Sequence, residues 1–320
     1  MFSCGLGCVS LGSVATGGSS AGALLIRAAV DLGVTYFDTA DAYGVGESER
    51  ILGRTLRRRR ADVTLATKGG YRFAERSGRD RLIRTVAGPV VRRLRPRSSR
   101  TDPLSIHVRA QAYIEKDFSR SYLDRALEGS LRRLRTDYID IYQLHGPGQP
   151  DDHLVSWLTD VKAAGKVRLI GVGLETIDSA TAWADTMAID RMQLPFGILD
   201  PEAGFDVIPN AARNDVGVIA RAIFAAGLLG EQSLRTRTLL RPEQIPLQND
   251  VLSLAAEYGV SPLQLAAWYV MRPGVHTLLL GTGSITHLRE SVGYLCSAPT
   301  PDVMGRLDGL VAAHRAGTSI

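Results

Sequence analysis

Four side chains in this sequence could together manage a proton. Asp38 and Tyr43 lie in FDTADAYG, Lys68 ends the run VTLATK, and His145 ends IDIYQLH. A free phenol titrates near ~10 and is a reluctant acid at neutral pH. An ammonium beside it favours the phenolate and pulls that value down. Held out of water, the ammonium needs a counter-charge, which Asp38 can provide. A histidine nearby can orient a carbonyl oxygen by hydrogen bonding. Together these residue types suit protonation of a carbonyl. Asp41, in the same octapeptide, reads as a turn-forming or surface residue.

Such a set acts only if the chain brings it together. Each cluster follows an apolar, β-rich run, and such runs alternate with amphipathic stretches along the chain. Expected strands are Cys8–Leu11, Thr35–Asp38, Val63–Thr67, Tyr138–Leu144, Val167–Val172, Arg191–Leu194, Val216–Arg221 and Thr277–Leu280. Helices are expected at Ala21–Leu32, Glu47–Arg57, Arg120–Leu134, Asp152–Ala164, Ile177–Thr186, Gly204–Arg213, Pro262–Met271 and Thr286–Tyr294. Eight strands, each followed by a helix, describe a single-domain parallel (β/α)8 TIM barrel. A dinucleotide-binding open sheet would want GxGxxG after its first strand, and GLGCVSLG does not supply that spacing. In a parallel barrel the chemistry gathers at the C-terminal strand ends, where Asp38, Lys68, His145, Gln193 and Arg221 all fall. One connection breaks the rhythm. Residues 71–117 form a long Arg-rich loop, expected over the barrel mouth, with a short helix at Arg79–Val86.

The 320 residues suit one large barrel or two ordinary domains, with an apolar content typical of globular proteins. The net charge of +5 comes from arginine, because lysine occurs only at positions 68, 116, 162 and 166. Cys4, Cys8 and Cys296 have neither metal-ligand spacing nor a disulfide pattern. No basic residue precedes Arg27 and no apolar run approaches a membrane span, so a cytoplasmic protein without a membrane partner is expected. Stacking aromatics do not accompany the arginines, which argues against nucleic acid.

GVTYFDTADAYGVGESERILG, VTLATKGG, DYIDIYQLHGPG, GKVRLIGVG, VIARAIFAAGLLG and GTGSITHLRES together resemble the aldo-keto reductases. The resemblance runs through nearly the whole chain apart from 71–117. It implies a (β/α)8 barrel, NAD(P)H-dependent reduction of a ketone or aldehyde, and a tetrad of Asp38, Tyr43, Lys68 and His145 with Tyr43 as the general acid. NADPH is the implied cofactor and NADH the alternative. The positions that correspond to the family's cofactor contacts are Gln193, Arg221, Gly281, Thr282, Gly283, Ser284, His287, Glu290 and Ser291, with Gly283 where relatives place a cation, His287 in place of an Arg, Glu290 kept and Ser291 in place of an Asn. Where the family has Ser-Asn after strand five, this chain has Gly173 and Leu174, so the nicotinamide carboxamide falls to Gln193. Arg221 stands where an aromatic often stacks on the nicotinamide.

The Arg-rich loop reads either as an exposed segment or as a lid for an anionic substrate, such as a nucleotide-linked keto-sugar or another phosphorylated metabolite. Two other functional classes stay open. One is a non-catalytic, nucleotide-binding partner subunit of the same fold. The other is a Schiff-base lyase built on Lys68, which would leave Tyr43 and Asp38 without roles.

Overall fold

The computed structural model describes residues 3–11, 17–72, 115–230 and 240–317. The strands are β1 (Ser3–Gly7), β2 (Tyr36–Asp38), β3 (Thr64–Gly69), β4 (Tyr71–Arg72), β5 (Glu115–Lys116), β6 (Ile139–His145), β7 (Val167–Gly173), β8 (Arg191–Pro195), β9 (Gly217–Arg221) and β10 (Val275–Gly281). All but β4 and β5 close into a parallel barrel in chain order, with β10 pairing back onto β1. The helices are α1 (Gly18–Asp31), α2 (Glu47–Thr55), α3 (Arg120–Leu134), α4 (Asp152–Ala163), α5 (Ile177–Asp185), α6 (Val207–Arg213), α7 (Gln244–Glu257), α8 (Pro262–Val270), α9 (Ile285–Cys296) and α10 (Pro301–Arg315). This is the expected (β/α)8 barrel.

Strand side chains alternate between the barrel interior and the helix layer. The interior carries a small apolar layer of Tyr36, Ala66, Ile141, Ile219 and Leu279. Two residues further along the same strands come Asp38, Lys68 and Gln143. A polar layer therefore sits on an apolar floor at the C-terminal ends of the strands. Register staggers the pair, because Asp38 faces Ala66 across β2–β3 while Lys68 faces Gln143 across β3–β6. The outward faces pack on the helices in one large core that includes Trp157 and Trp183.

The first strand is Ser3–Gly7, not Cys8–Leu11, where the chain is already turning. The interior explains why SCGLG does not look like a strand. A Cβ on Gly5 would stand 2.8 Å from both Leu279 Cδ2 and Tyr36 Cδ1, so those two side chains occupy the space that an inward β1 residue would need. The helices α7 and α10 are additions to the expected set. Both carry helical signals: Leu247, Val251 and Leu254 are buried along α7, and Val303, Leu307 and Val311 along α10, which has Pro301 in its first turn. Ser261 caps α8 as expected, accepting from Leu263 N at 3.2 Å. Ser119 does not use its side chain on α3, since its hydroxyl donates to Asp117 instead.

The two ends of the long connection pair as an antiparallel hairpin, Tyr71 with Lys116 and Arg72 with Glu115. The rest of it, including the helix expected at Arg79–Val86 and the proposed cover over the mouth, lies outside the described residues. Among the described residues no helix is long and apolar enough to cross a membrane.

Candidate active site

β2 delivers Asp38 and β3 delivers Lys68, both nearly without exposed surface. Lys68 Nζ lies 2.7 and 2.6 Å from the two Asp38 carboxylate oxygens and 2.9 Å from the Thr39 carbonyl. An ammonium has three hydrogens, and this one has three acceptors. Gln193, from β8, donates its amide to Asp38 Oδ1 at 2.9 Å, so three hydrogen bonds from two side chains hold the carboxylate in place. Burial lowers the Lys68 pKa, but Asp38 and Tyr43 raise it further, and the net direction is up. A lysine held charged and fully donated is a poor nucleophile, which counts against the Schiff-base reading.

Tyr43 stands on the turn after β2, with its amide donating to the Ala40 carbonyl and its own carbonyl accepting from Ser48 N. Lys68 Nζ is 5.4 Å from the centre of its ring. With its hydrogens already committed, Lys68 acts on Tyr43 through its field. Burial pushes the Tyr43 phenol above its ordinary value, and Lys68 pulls it back. Asp38 opposes the lysine, Arg221 assists it, and Glu175 opposes it in turn. The sequence-based expectation of a lowered pKa therefore holds for the lysine alone, while burial sets the net direction. A phenol in this state keeps its proton at neutral pH, as a donor must.

His145 ends β6 and is buried, its ring edge-on to Tyr43 at 6.0 Å between centroids. The four expected catalytic residues therefore meet at one end of the barrel. Two neighbours were not anticipated. The Tyr71 ring packs edge-on against His145 at 4.4 Å, and Lys116 Nζ donates to the Gly146 carbonyl at 2.7 Å. Both come from the β4–β5 hairpin, whose strands are far apart in sequence, and only the GlyGly before Tyr71 marks the bend. Tyr122 further ties the hairpin to α3 through a hydrogen bond to the Tyr71 carbonyl. Asp41 does shape the turn, but it is wholly buried and not at the surface.

The proposed cofactor positions fall into two groups. Gln193 and Arg221 stand at the ends of β8 and β9. The Gln193 side-chain oxygen Oε1 lies 3.7 Å from where a Cβ on Gly173 would be. The Arg221 guanidinium reaches across to the Leu174 carbonyl at 3.2 Å and the Glu175 carboxylate at 2.5 Å. The second group turns from β10 into α9. Thr282 Oγ1 accepts from Ser284 N at 3.0 Å, and Ser284 caps the helix by accepting from His287 N at 3.4 Å. A Cβ on Gly281 would meet nothing within 4 Å, so the strand end opens onto free space. Gly283, His287 and Glu290 are exposed, whereas Ser291 lies with Leu288 and Leu295 on the buried face of α9.

Comparison with known proteins agrees with this geometry. The family model "Aldo/keto reductase family" matches residues 4–312. Aldo-keto reductase YhdN of Bacillus subtilis is 28% identical over 316 residues, covering 91% of this chain and 85% of its own length. The holo form of aldo-keto reductase AKR11C1 from Bacillus halodurans superposes with a TM-score of 0.73 at 26% identity, covering 96% of this chain and 91% of that one. An aldo-keto reductase from Klebsiella pneumoniae in complex with NADPH shares the fold, with a TM-score of 0.66 at 24% identity and coverage of 97% and 90%. The chain thus belongs to the aldo/keto reductase family of NAD(P)H-dependent oxidoreductases.

Proposed function

We propose that this enzyme reduces a ketone or aldehyde to an alcohol, with NADPH as its cofactor and Tyr43 as the general acid. One observation carries the reading. The buried Lys68 ammonium, saturated by Asp38 and Thr39, faces the Tyr43 ring beside His145. The residues at the strand ends fit a dinucleotide. The Gln193 side-chain oxygen Oε1 suits a carboxamide N–H, and Arg221 offers a planar guanidinium beside it. The open space at Gly281 and the start of α9, from Thr282 through Ser284 to His287 and Glu290, suits the adenosine phosphates, with Ser291 supporting from below. NADPH, when bound, supplies the hydride.

The chain's own residues handle everything else. His145 orients the carbonyl oxygen, and the Tyr43 hydroxyl passes its proton to that oxygen as negative charge develops there. The phenolate left behind is stabilised by the Lys68 ammonium, which Asp38 keeps charged. Tyr71, packed on His145, fixes the ring's tilt and walls one side of the site. The arginine-rich composition of 71–117 favours a substrate carrying phosphate or another anionic group, a keto-sugar derivative among them. A panel of phosphorylated and unphosphorylated aldehydes and ketones, assayed with NADPH and with NADH, tests this reading. NADPH-dependent turnover with preference for the anionic members is expected. Cofactor binding without turnover over the whole panel would point to the non-catalytic partner subunit instead.

A further inference from the structure

Asp41 is the buried acid that the reaction does not use. Neither carboxylate oxygen makes a well-formed hydrogen bond, and the Ala42 N–H is the one backbone donor that acts on the group. The charged and titratable groups facing it come from every neighbouring element: Glu49 on α2, Arg133 and Tyr122 on α3, Lys68 on β3 and Tyr142 on β6. Glu49 is equally buried but fully served. Its Oε1 accepts from Thr67 Oγ1 at 2.7 Å and its Oε2 from Arg133 Nε at 2.5 Å. One guanidinium thus stands among two buried carboxyls and has committed to one of them.

These residues back directly onto the turn that carries Tyr43. The Asp41 amide donates to the Lys68 carbonyl at 3.0 Å, pinning the turn to the catalytic strand. Among the next residues after Tyr43, Val45 is strained at a φ of 59°, while Gly44 and Gly46 on either side take φ of 61° and 78° without cost. A β-branched residue rarely enters that region unless its surroundings hold it there. Arg133 lies against this segment, for a Cβ on Gly46 would fall 2.6 Å from Arg133 Cδ. Arg50 adds a hydrogen bond to the Val45 carbonyl at 3.3 Å.

We propose that Asp41, Glu49 and Arg133 form a positioning unit for Tyr43, in which the one guanidinium pairs with an ionised Glu49 and Asp41, buried without a hydrogen-bonding partner, carries a proton. Burial pushes the Asp41 carboxyl well above the usual carboxylate range, and the Glu49 charge adds to it. Arg133, the Ala42 N–H and Lys68 pull it back without reversing the direction. Ionisation of Asp41 would draw Arg133 away from Glu49 and from Gly46, and so move the turn that holds Tyr43.

The catalytic half of the proposal rests on Tyr43 as the acid, while the protonation half does not. Asp41→Asn keeps the size and needs no proton. An acid whose pKa is raised on folding contributes its stability below its unfolded value of about 3.9 and loses it as pH rises. The melting temperature of Asp41→Asn relative to wild type is therefore expected to climb between about pH 5 and about pH 8.5. A difference that is flat or that falls with pH would make Asp41 an ionised partner of Arg133 and overturn the proposal. Asp41→Leu is expected to lower kcat about tenfold or more with NADPH affinity unchanged, and Asp41→Asn to restore it to within about threefold. Should the leucine variant not fold, the pH trend of Asp41→Asn decides alone. Wild-type kcat in Asp41→Leu would remove the positioning role. An active Tyr43→Phe enzyme would instead remove the acid assignment and leave the melting result standing.

Discussion

Replacing Asp38 by Asn keeps the shape of the site and removes the carboxylate that pairs with Lys68. In the folded protein Lys68 has no room to turn toward water, being 1% exposed. Removing one partner of a buried ion pair typically costs about 3–5 kcal/mol, because the other charge is left uncompensated. Unfolding entropy scales at about 2.1 cal/mol/K per residue, so for a chain of 320 residues the melting temperature should fall by about 4–7 °C at neutral pH. The pH dependence makes the prediction specific. In the wild type the folded Lys68 pKa is raised, so its contribution is complete below the unfolded value of ~10.4 and fades only as pH climbs through the folded value. In Asp38→Asn burial is left as the leading influence, and burial lowers the pKa. Folded Lys68 then sheds its proton at lower pH than the unfolded chain does, and the variant regains stability as pH rises. Scanning calorimetry of both proteins from pH 6 to pH 9.5 should show the gap narrowing at the alkaline end. A gap that is constant or widens with pH would refute the buried, charged Lys68 on which the site depends.

At the opposite end of the barrel, Tyr138 lies between the guanidinium groups of Arg60 and Arg168, each 4.0 Å from its ring centre, and both arginines pair with Asp140. Tyr138→Ala should destabilise the protein by about 1–2 kcal/mol, measured by urea unfolding, and leave kcat/KM unchanged. Gly53 packs α2 on α3 so closely that a Cβ would stand 2.4 Å from the Leu134 carbonyl oxygen. Gly53→Ala should therefore cost about 1–3 kcal/mol in the same assay, since backbone cannot yield as a side chain would.

Legibility followed physical locality. Lys68 and His145 could be read because each ends an apolar strand, and a barrel obliges consecutive strand ends to meet. The helix at Arg120–Leu134 has the bounds expected from its apolar spacing. By contrast, β1 carries its information in what it lacks, since Gly5 makes sense only beside Tyr36 and Leu279. Tyr71 reaches the site through a hairpin whose partner strand starts at Glu115, and no local pattern announces such a pairing. Asp41 misled for a related reason. Aspartate in a turn ordinarily faces water, and only the packing of α2 and α3 over this turn encloses it. The direction of the Tyr43 shift was equally hidden, because desolvation depends on everything packed around the phenol and not on its charged neighbours alone.

The central claim is that Tyr43 donates the proton. Its most direct test is Tyr43→Phe, followed by NADPH oxidation in the presence of a turned-over carbonyl and by fluorescence titration of NADPH binding. The account predicts turnover reduced to background with NADPH affinity preserved. Turnover at the wild-type rate would contradict it.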